Sequence, residues 1–372
     1  MKKIAIIGAS YLQMPLVLKS KELGLQTHCF AWEEGAVCKP NVDYFYPVST
    51  LDKEKILSLC RRINIDAIVS IASDVAVPTV NFVASNLNLT GNSASDSEAS
   101  TNKFSMRERF KLNNIPSPQF LRVNNSNSLT NDIELNFPLI VKPVDRSGSR
   151  GVQKVCVPSE LSAAIHRARK ESFIDECIVE EYIEGVEVSV ESISWKGKHF
   201  VLAITDKLTT EEPYFVELEH HQPSQLSSNI LEKIKTETLK ALAALQLKYG
   251  ASHAEFRISA DGEVYVIEVG ARMGGDFIGS HLVQLSTGYD FVKGVIDVSL
   301  GHFEEPILKK KKYSGVYFLC KETKHLVPVI QNADSYKEIV EAEITDTELH
   351  AIKCSADRSG YFIYQGESRF TL

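Results

Sequence analysis

The chain has 372 residues, 44% of them hydrophobic and 24% charged, with a formal net charge of −7 at pH 7, and that length predicts two or three subdomains rather than one core. An acidic balance without a basic stripe excludes a nucleic-acid partner, and Lys309-Lys310-Lys311-Lys312 reads as a solvated loop. The lack of an 18-residue apolar stretch, the apolar run that stops at Gly8, and seven scattered cysteines without a C-x-x-C pair predict a soluble cytoplasmic protein with neither signal peptide nor membrane span.

Residues 1–95 alternate strands (4–7, 26–30, 67–71) with helices (16–23, 52–63), the pattern of a parallel sheet. Gly8-Ala9-Ser10-Tyr11-Leu12-Gln13 stands where a dinucleotide fingerprint would lie but has one of its three glycines, so nicotinamide binding is not expected. Asp74 follows the carboxyl end of a strand, where such sheets bind ligands, although an ordinary loop aspartate is the simpler reading. The Ser/Asn-rich stretch 91–102 reads as a boundary, followed by a helix (103–113), a turn at Pro116-Ser117-Pro118 and a surface loop (124–131). Strands are expected at 137–143, 153–157 and 177–183, with a helix at 159–170. A hairpin (186–193 and 198–205) and a long amphipathic helix (231–247) come next, and the tail beyond Tyr313 reads as strand-rich and chemically quiet.

Two segments carry chemistry. Asp145-Arg146-Ser147-Gly148-Ser149-Arg150-Gly151-Val152 joins two strands, and such small residues let successive N–H groups converge on an anion, with Lys142 and Arg150 adding charge; a flexible hairpin loop would look similar. The second is the hairpin 253–269 around Asp261-Gly262. A two-residue turn there pairs Ala260 with Glu263, Ile258 with Tyr265, Glu255 with Glu268 and His253 with Gly270, leaving Ala254, Phe256, Ile258, Tyr265, Ile267 and Val269 on a core face. Opposed residues lie about 5 Å apart at Cβ, where two full charges repel by about 3 kcal/mol at an effective dielectric near 20. Either one carboxyl keeps its proton, or a divalent cation with a preference for oxygen bridges the pair, unless the hairpin simply points both glutamates into water. Nearby, His253, Arg257, His220 and His221 are candidates for holding an acidic or zwitterionic substrate, and Gly274-Gly275-Asp276 offers backbone donors and a carboxylate for a substrate amine.

The ordered series of an apolar strand ending Lys142-Pro143, a Ser/Gly loop, a strand ending Glu180-Glu181-Tyr182-Ile183 with Glu187 beyond it, and an opposed Glu pair followed by Arg272 resembles the ATP-grasp superfamily over nearly the whole chain. Within it, the pattern is similar to carboxylate-amine ligases of the amino-acid or dipeptide ligase type. The resemblance implies an α/β ATP-grasp architecture: an N-terminal Rossmann-like parallel-sheet domain (1–95), a central ATP-binding α+β subdomain (96–185), a C-terminal α+β subdomain with the metal site (186–312) and a strand-rich extension (313–372). It implies ATP with Mg²⁺ or Mn²⁺, small-molecule carboxylate and amine substrates, and a homodimer as the common assembly.

By the same resemblance, Lys103 and Lys142 contact ATP phosphates under a covering loop that includes Ser147, Gly148, Ser149, Gly151 and Val152. Glu180, Glu181, Tyr182 and Ile183 form the hinge that reads the adenine edge, Glu187 holds the ribose, and Lys207 adds a phosphate or substrate contact. Glu255 and Glu268 hold metal, while Arg272 stabilises the charge of phosphoryl transfer. The family usually reads Glu-x-Asn-x-Arg at the metal strand, and Glu268-Val269-Gly270-Ala271-Arg272 puts glycine where the asparagine ligand is expected. The implied reaction activates a carboxylate as an acylphosphate for attack by an amine. An ATP-dependent carboxylating enzyme that uses bicarbonate, and a nucleotide-binding protein without turnover, are the rival readings.

Overall fold

The structure is a computed structural model that describes the chain except residues 125–134, 149, 211–214 and 310, and the side chains of 94–97. Most of the loop expected at 124–131, Lys310 and the candidate Ser149 thus lie outside the described residues. Strands β1 (Lys3–Ile7), β2 (Gln26–Ala31), β3 (Tyr44–Pro47) and β4 (Ala67–Val69) form a parallel sheet in the order β3-β2-β1-β4. The run 4–7 is fully buried because both faces are covered. Ile4 and Ile6 pack under α1 (Met14–Glu22) and a later helix, Phe291–Ser299, whereas Ala5 and Ile7 pack under α2 (Lys53–Ile63) and α3 (Val77–Asn86). The strand expected to reach residue 71 ends at Val69, and α3 escaped the sequence pattern because Pro78, a good first-turn residue, also reads as a breaker.

The stretch 91–102, expected as a boundary, is largely helical: α4 (Ala94–Thr101) leads into α5 (Lys103–Leu112). The Asn102 side chain accepts from the Ser105 N–H at 3.0 Å, so a polar residue that resembled linker composition is a helix cap that fixes where Lys103 begins. A second, antiparallel sheet contains β5 (Phe120–Val123), β6 (Leu139–Pro143), β7 (Gln153–Val155) and β8 (Cys177–Glu181) in the order β5-β8-β6-β7, with α6 (Pro158–Glu171) packed on it.

The third sheet comprises β9 (Val186–Trp195), β10 (Lys198–Thr209), β11 (Glu217–Gln222), β12 (Gly250–Ile258), β13 (Val264–Gly270), β14 (Tyr313–Leu319), β15 (Ile339–Ile344) and β16 (Gly360–Gly366). Their order is β13-β12-β9-β10-β11-β14-β16-β15, so the last 60 residues complete the sheet that carries the Glu hairpin. α5 and α7 (Ser228–Ala244) bury one of its faces.

The hairpin β12–β13 departs from the expected register in two ways that cancel at the glutamates. Asp261 does not have positive φ, and Ser259 N–H bonds to Glu263 O at 3.0 Å around Ala260, Asp261 and Gly262 (φ +80), a three-residue loop rather than a two-residue turn. Ile258 therefore faces Val264, and Phe256 faces Val266. A bulge then inserts Ile267 as an extra residue and restores Glu255 opposite Glu268 and His253 opposite Gly270. Between turn and bulge the core face is shifted by one. Val264 and Val266 are buried there in place of the expected Tyr265 and Ile267, and Ile267 lines the cavity instead.

Gly185, just after β8, has φ +146, and a Cβ there would lie 1.9 Å from the Ile258 carbonyl oxygen. Gly197 (φ +82) sits in the open two-residue turn between β9 and β10. Gly185→Ala is expected to cost more than about 2 kcal/mol and Gly197→Ala about 1 kcal/mol, read as the difference in urea midpoints; equal costs would contradict the close approach at Gly185.

Candidate active site

Between the second and third sheets lies a cavity of about 410 Å³, within the size range of small-ligand sites. It collects residues from every part of the chain: Asp74 from the N-terminal sheet, Lys142 and the strand 180–183, Glu255 and Glu268 from the hairpin, and Lys353 to Ser355 from the tail.

Its two ends differ in charge. At the β6–β8 end, Glu180 is buried between two cations, with Arg107 Nε at 2.8 Å from Oε1 and Lys142 Nζ at 2.6 Å from Oε2. Burial opposes ionisation of Glu180, but Arg107 and then Lys142 outweigh it and hold its pKa below the ordinary value. Burial pushes the Lys142 ammonium down, and Arg107 and Lys103 add to the effect against the pull of Glu180. Three cations thus share two carboxylates, Glu180 and Glu268, and the surplus positive charge suits an anion. Arg107 is fully buried and also donates from Nη2 to the Ile267 carbonyl at 2.6 Å, satisfying backbone freed by the bulge.

At the sheet floor carboxylates and cations are evenly matched, Glu187, Glu217 and Glu255 against Lys207, Arg257 and Arg358. Lys207 Nζ lies 2.6 Å from Glu187, 3.0 Å from Glu255 and 3.5 Å from Glu217. Desolvation would lower the Lys207 pKa, yet Glu187, Glu255 and Glu217 raise it well above the usual lysine range. Arg257 donates to Glu187 at 3.1 Å and to the Tyr182 hydroxyl at 3.1 Å, tying hinge to floor.

Each of the opposed glutamates has a cation of the chain beside it: Lys103 Nζ lies 2.9 Å from Glu268 Oε1, and Lys207 Nζ 3.0 Å from Glu255 Oε1. Burial alone would lower the Lys103 pKa, but Glu268, Asp74 and Glu180 hold it raised. Burial disfavours ionised Glu255 too, but Lys207 and then His253 hold its pKa well below the ordinary value, so the carboxyl is not the proton carrier of the pair. Facing carboxylates are the hard oxygen donors that Mg²⁺ takes. Among the described residues no group of three or more His, Cys, Asp or Glu side chains is set to hold a metal, so a cation between Glu255 and Glu268 would draw its remaining ligands from phosphate and water.

His253 is buried, its Nδ1 2.5 Å from Glu191 Oε1 and its Nε2 3.4 Å from Glu255. Burial works against the imidazolium, while Glu191 and Glu255 outweigh it and raise the pKa. Glu191, fully buried and absent from the sequence reading, also accepts from the Gly274 N–H at 2.9 Å, so that donor is already engaged, whereas Gly275 lines the cavity. Arg272 is paired with Asp74 through two contacts of 2.9 Å.

Ser147, Gly148 and Val152 line the cavity; Gly151 does not, and a Cβ there would press on Pro143 and Glu171. Glu181 and Ile183 line it beside Tyr182, whereas the Glu180 carboxylate is committed to Arg107 and Lys142. His220 faces the cavity near Asp276, but His221 turns into the core against Tyr364 and Glu219 and is structural. The tail, expected to be chemically quiet, supplies Arg358, which donates to Asp276 at 2.7 Å and lies 3.7 Å above the Phe318 ring. The unforeseen members Arg107, Glu191, Glu217 and Arg358 have no local motif; only tertiary contacts assemble them.

Residues 135–280 match the ATP-grasp domain family. The fold, including all three sheets, matches that of the L-amino acid ligase from Bacillus licheniformis with a TM-score of 0.81 and 25% identity, over 99% of this chain and 94% of the other. Residues 135–280 thus carry an ATP-grasp domain. Among curated relatives, it is 32% identical to the D-alanine–D-alanine ligase of Flavobacterium johnsoniae over 142 residues, 37% of this chain and 43% of that one. It is 30% identical to the D-alanine–D-alanine ligase of Thermosipho africanus over 224 residues, 55% of this chain and 58% of that one. The chain thus spans about half the length of the curated relatives it matches.

Burial opposes the charge of Asp276, but Arg358 and then His220 hold its pKa far below the usual 3.8. A depressed carboxyl adds stability above its unfolded pKa and loses it as pH falls below that value. Asp276→Asn is therefore expected to cost about 2 kcal/mol at pH 7, where Arg358 loses one of its two carboxylate partners and keeps Glu217, and progressively less below about pH 4, measured by urea unfolding at pH 7 and pH 3; an equal cost at both would contradict the ion pair.

Proposed function

We propose that this protein is an ATP- and Mg²⁺-dependent carboxylate–amine ligase acting on amino-acid-like substrates. The observation that carries the reading is Glu255 facing Glu268, each held by a buried lysine, beside a cation-rich end of the cavity. The similarity to an L-amino acid ligase over nearly the full length supports the substrate class.

In this reading Glu181, Tyr182 and Ile183 present backbone to the adenine, and Glu187 meets the ribose. Lys103 and Lys142 pair with phosphates, the surplus positive charge of their end being met by the anion, and the loop with Ser147, Gly148 and Val152 closes over them. Glu255 and Glu268 hold Mg²⁺ together with phosphate oxygens, and when bound the cation neutralises charge on the phosphates. Lys103 and Lys207 then exchange carboxylate partners for nucleotide. A carboxylate oxygen of the first substrate takes the γ-phosphoryl group with release of ADP, Arg272 meeting the developing charge. The amine nitrogen of the second substrate then attacks the acyl carbon, losing a proton as inorganic phosphate leaves. Gly275, Asp276, His253 and Arg257 surround the substrate end.

The test is a phosphate-release screen with Mg²⁺ and ATP over pairs of amino acids and other small carboxylates. A pair-dependent signal with a ligated product is expected, and Glu268→Gln should reduce it by more than about 100-fold. Phosphate release that requires bicarbonate and ignores amino acids would replace the reading with a carboxylating one. Tight ATP binding with no ADP from any mixture would replace it with a nucleotide-binding role.

A further inference from the structure

Gly270 leaves the metal strand without a side chain beside Glu268, and the space is taken from another part of the chain. A Cβ built at Gly270 would lie 2.7 Å from Asp74 Oδ1 and 3.2 Å from Arg272 Nε. At 2.7 Å one of the two must move, so a side chain at 270 and the observed position of Asp74 exclude each other. Asp74 lies just beyond β4 in the N-terminal sheet, 198 residues from its partner Arg272. Oδ1 accepts from Nε and Oδ2 from Nη2, both at 2.9 Å, and Nη1 donates to the Met273 carbonyl at 3.1 Å. A two-point carboxylate contact fixes the guanidinium plane, which a single contact leaves free to rotate. The pair is largely buried, each side chain 16% exposed, and both residues line the cavity. Burial opposes the charge of Asp74, while Arg272, then Lys103 and His253, keep it ionised.

We propose that Asp74, admitted by the glycine at 270, is the positioning residue that aims Arg272 at the transferred phosphoryl group. The inference rests on the reading of Arg272 under Proposed function. Glycine at 270 is then the condition for this device, since it admits a carboxylate from the N-terminal sheet where the family's pattern has an asparagine on the strand itself. It also makes the N-terminal sheet a functional part of the site, beyond any role in packing.

The experiment is a double-mutant cycle in the full chain, using a substrate pair from the screen and, independently of any substrate, calorimetric binding of MgADP with and without fluoroaluminate, a mimic of the transferred phosphoryl group. Asp74→Ala is expected to lower kcat about 100-fold while the KM for ATP changes by less than about threefold. It should also remove most of the tightening that fluoroaluminate gives to MgADP. Gly270→Asn, which displaces Asp74, is expected to lower kcat by about tenfold or more. In Asp74→Ala/Gly270→Asn the two defects should not multiply: because the second substitution acts by displacing Asp74, kcat and the fluoroaluminate effect should stay within about threefold of those of Asp74→Ala. Asp74→Asn, which keeps shape and one acceptor oxygen, should be intermediate and guards against misfolding of the alanine variant. Multiplicative losses in the double variant, or normal kcat and fluoroaluminate tightening in Asp74→Ala and Asp74→Asn, would overturn the inference and leave the ligase reading standing. A wild-type protein that does not bind MgADP would overturn the functional reading, and this inference with it.

Discussion

The constraint on which the rest depends is the meeting of two carboxyl groups, those of Glu255 and Glu268, on adjacent strands. Like charges so placed repel by about 3 kcal/mol at an effective dielectric near 20, and each partly buried carboxylate also loses hydration. The chain offsets this with one buried lysine for each, Lys103 from the start of a capped helix and Lys207 from β10, two strands from β12 in the same sheet. The arrangement is exchangeable by nature. Ammonium groups that neutralise carboxylates in one state can neutralise phosphates in another when a cation takes their place, without any change in the backbone that presents them.

The charge of the cavity follows from the same logic. Arg107, Lys142 and Lys103 outnumber Glu180 and Glu268 at one end, while Glu187, Glu217 and Glu255 are matched by Lys207, Arg257 and Arg358 at the other. An anionic group complements the first end, where the cations are in surplus. The buried positions of Arg107 and Glu191 show how the pattern is maintained: each binds a cavity residue through its side chain and a backbone group behind it, so packing and charge are fixed by the same contacts.

Much of the frame was legible in the residues. The apolar run 4–7, the Lys-Pro strand end, the hinge strand and the Glu hairpin all appear as strands, because local periodicity and turn residues act over a few residues. The hairpin also marks the limit of such reasoning. The expected pairing of the two glutamates occurs, but by a different route, a longer turn and a compensating bulge, and the β13 side chains between turn and bulge therefore face the other way. A glycine after aspartate permits either turn, and nothing local distinguishes them. The Arg107 guanidinium beneath the bulge, 160 residues away, belongs to that choice.

Local patterning by itself thus determined which residue types could bind phosphate and metal, and which strands would present them, since propensity, capping and alternation are properties of neighbours in the chain. Tertiary structure alone decided that Asp74 reaches Arg272, that Glu191 holds both His253 and Gly274, that His221 turns into the core while His220 does not, and that Arg358 from the tail faces Asp276. These are contacts across tens to hundreds of residues, and they form because a buried charge is tolerated only where the folded chain brings its partner. The sequence names the charges, but only the packed layers say which of them meet.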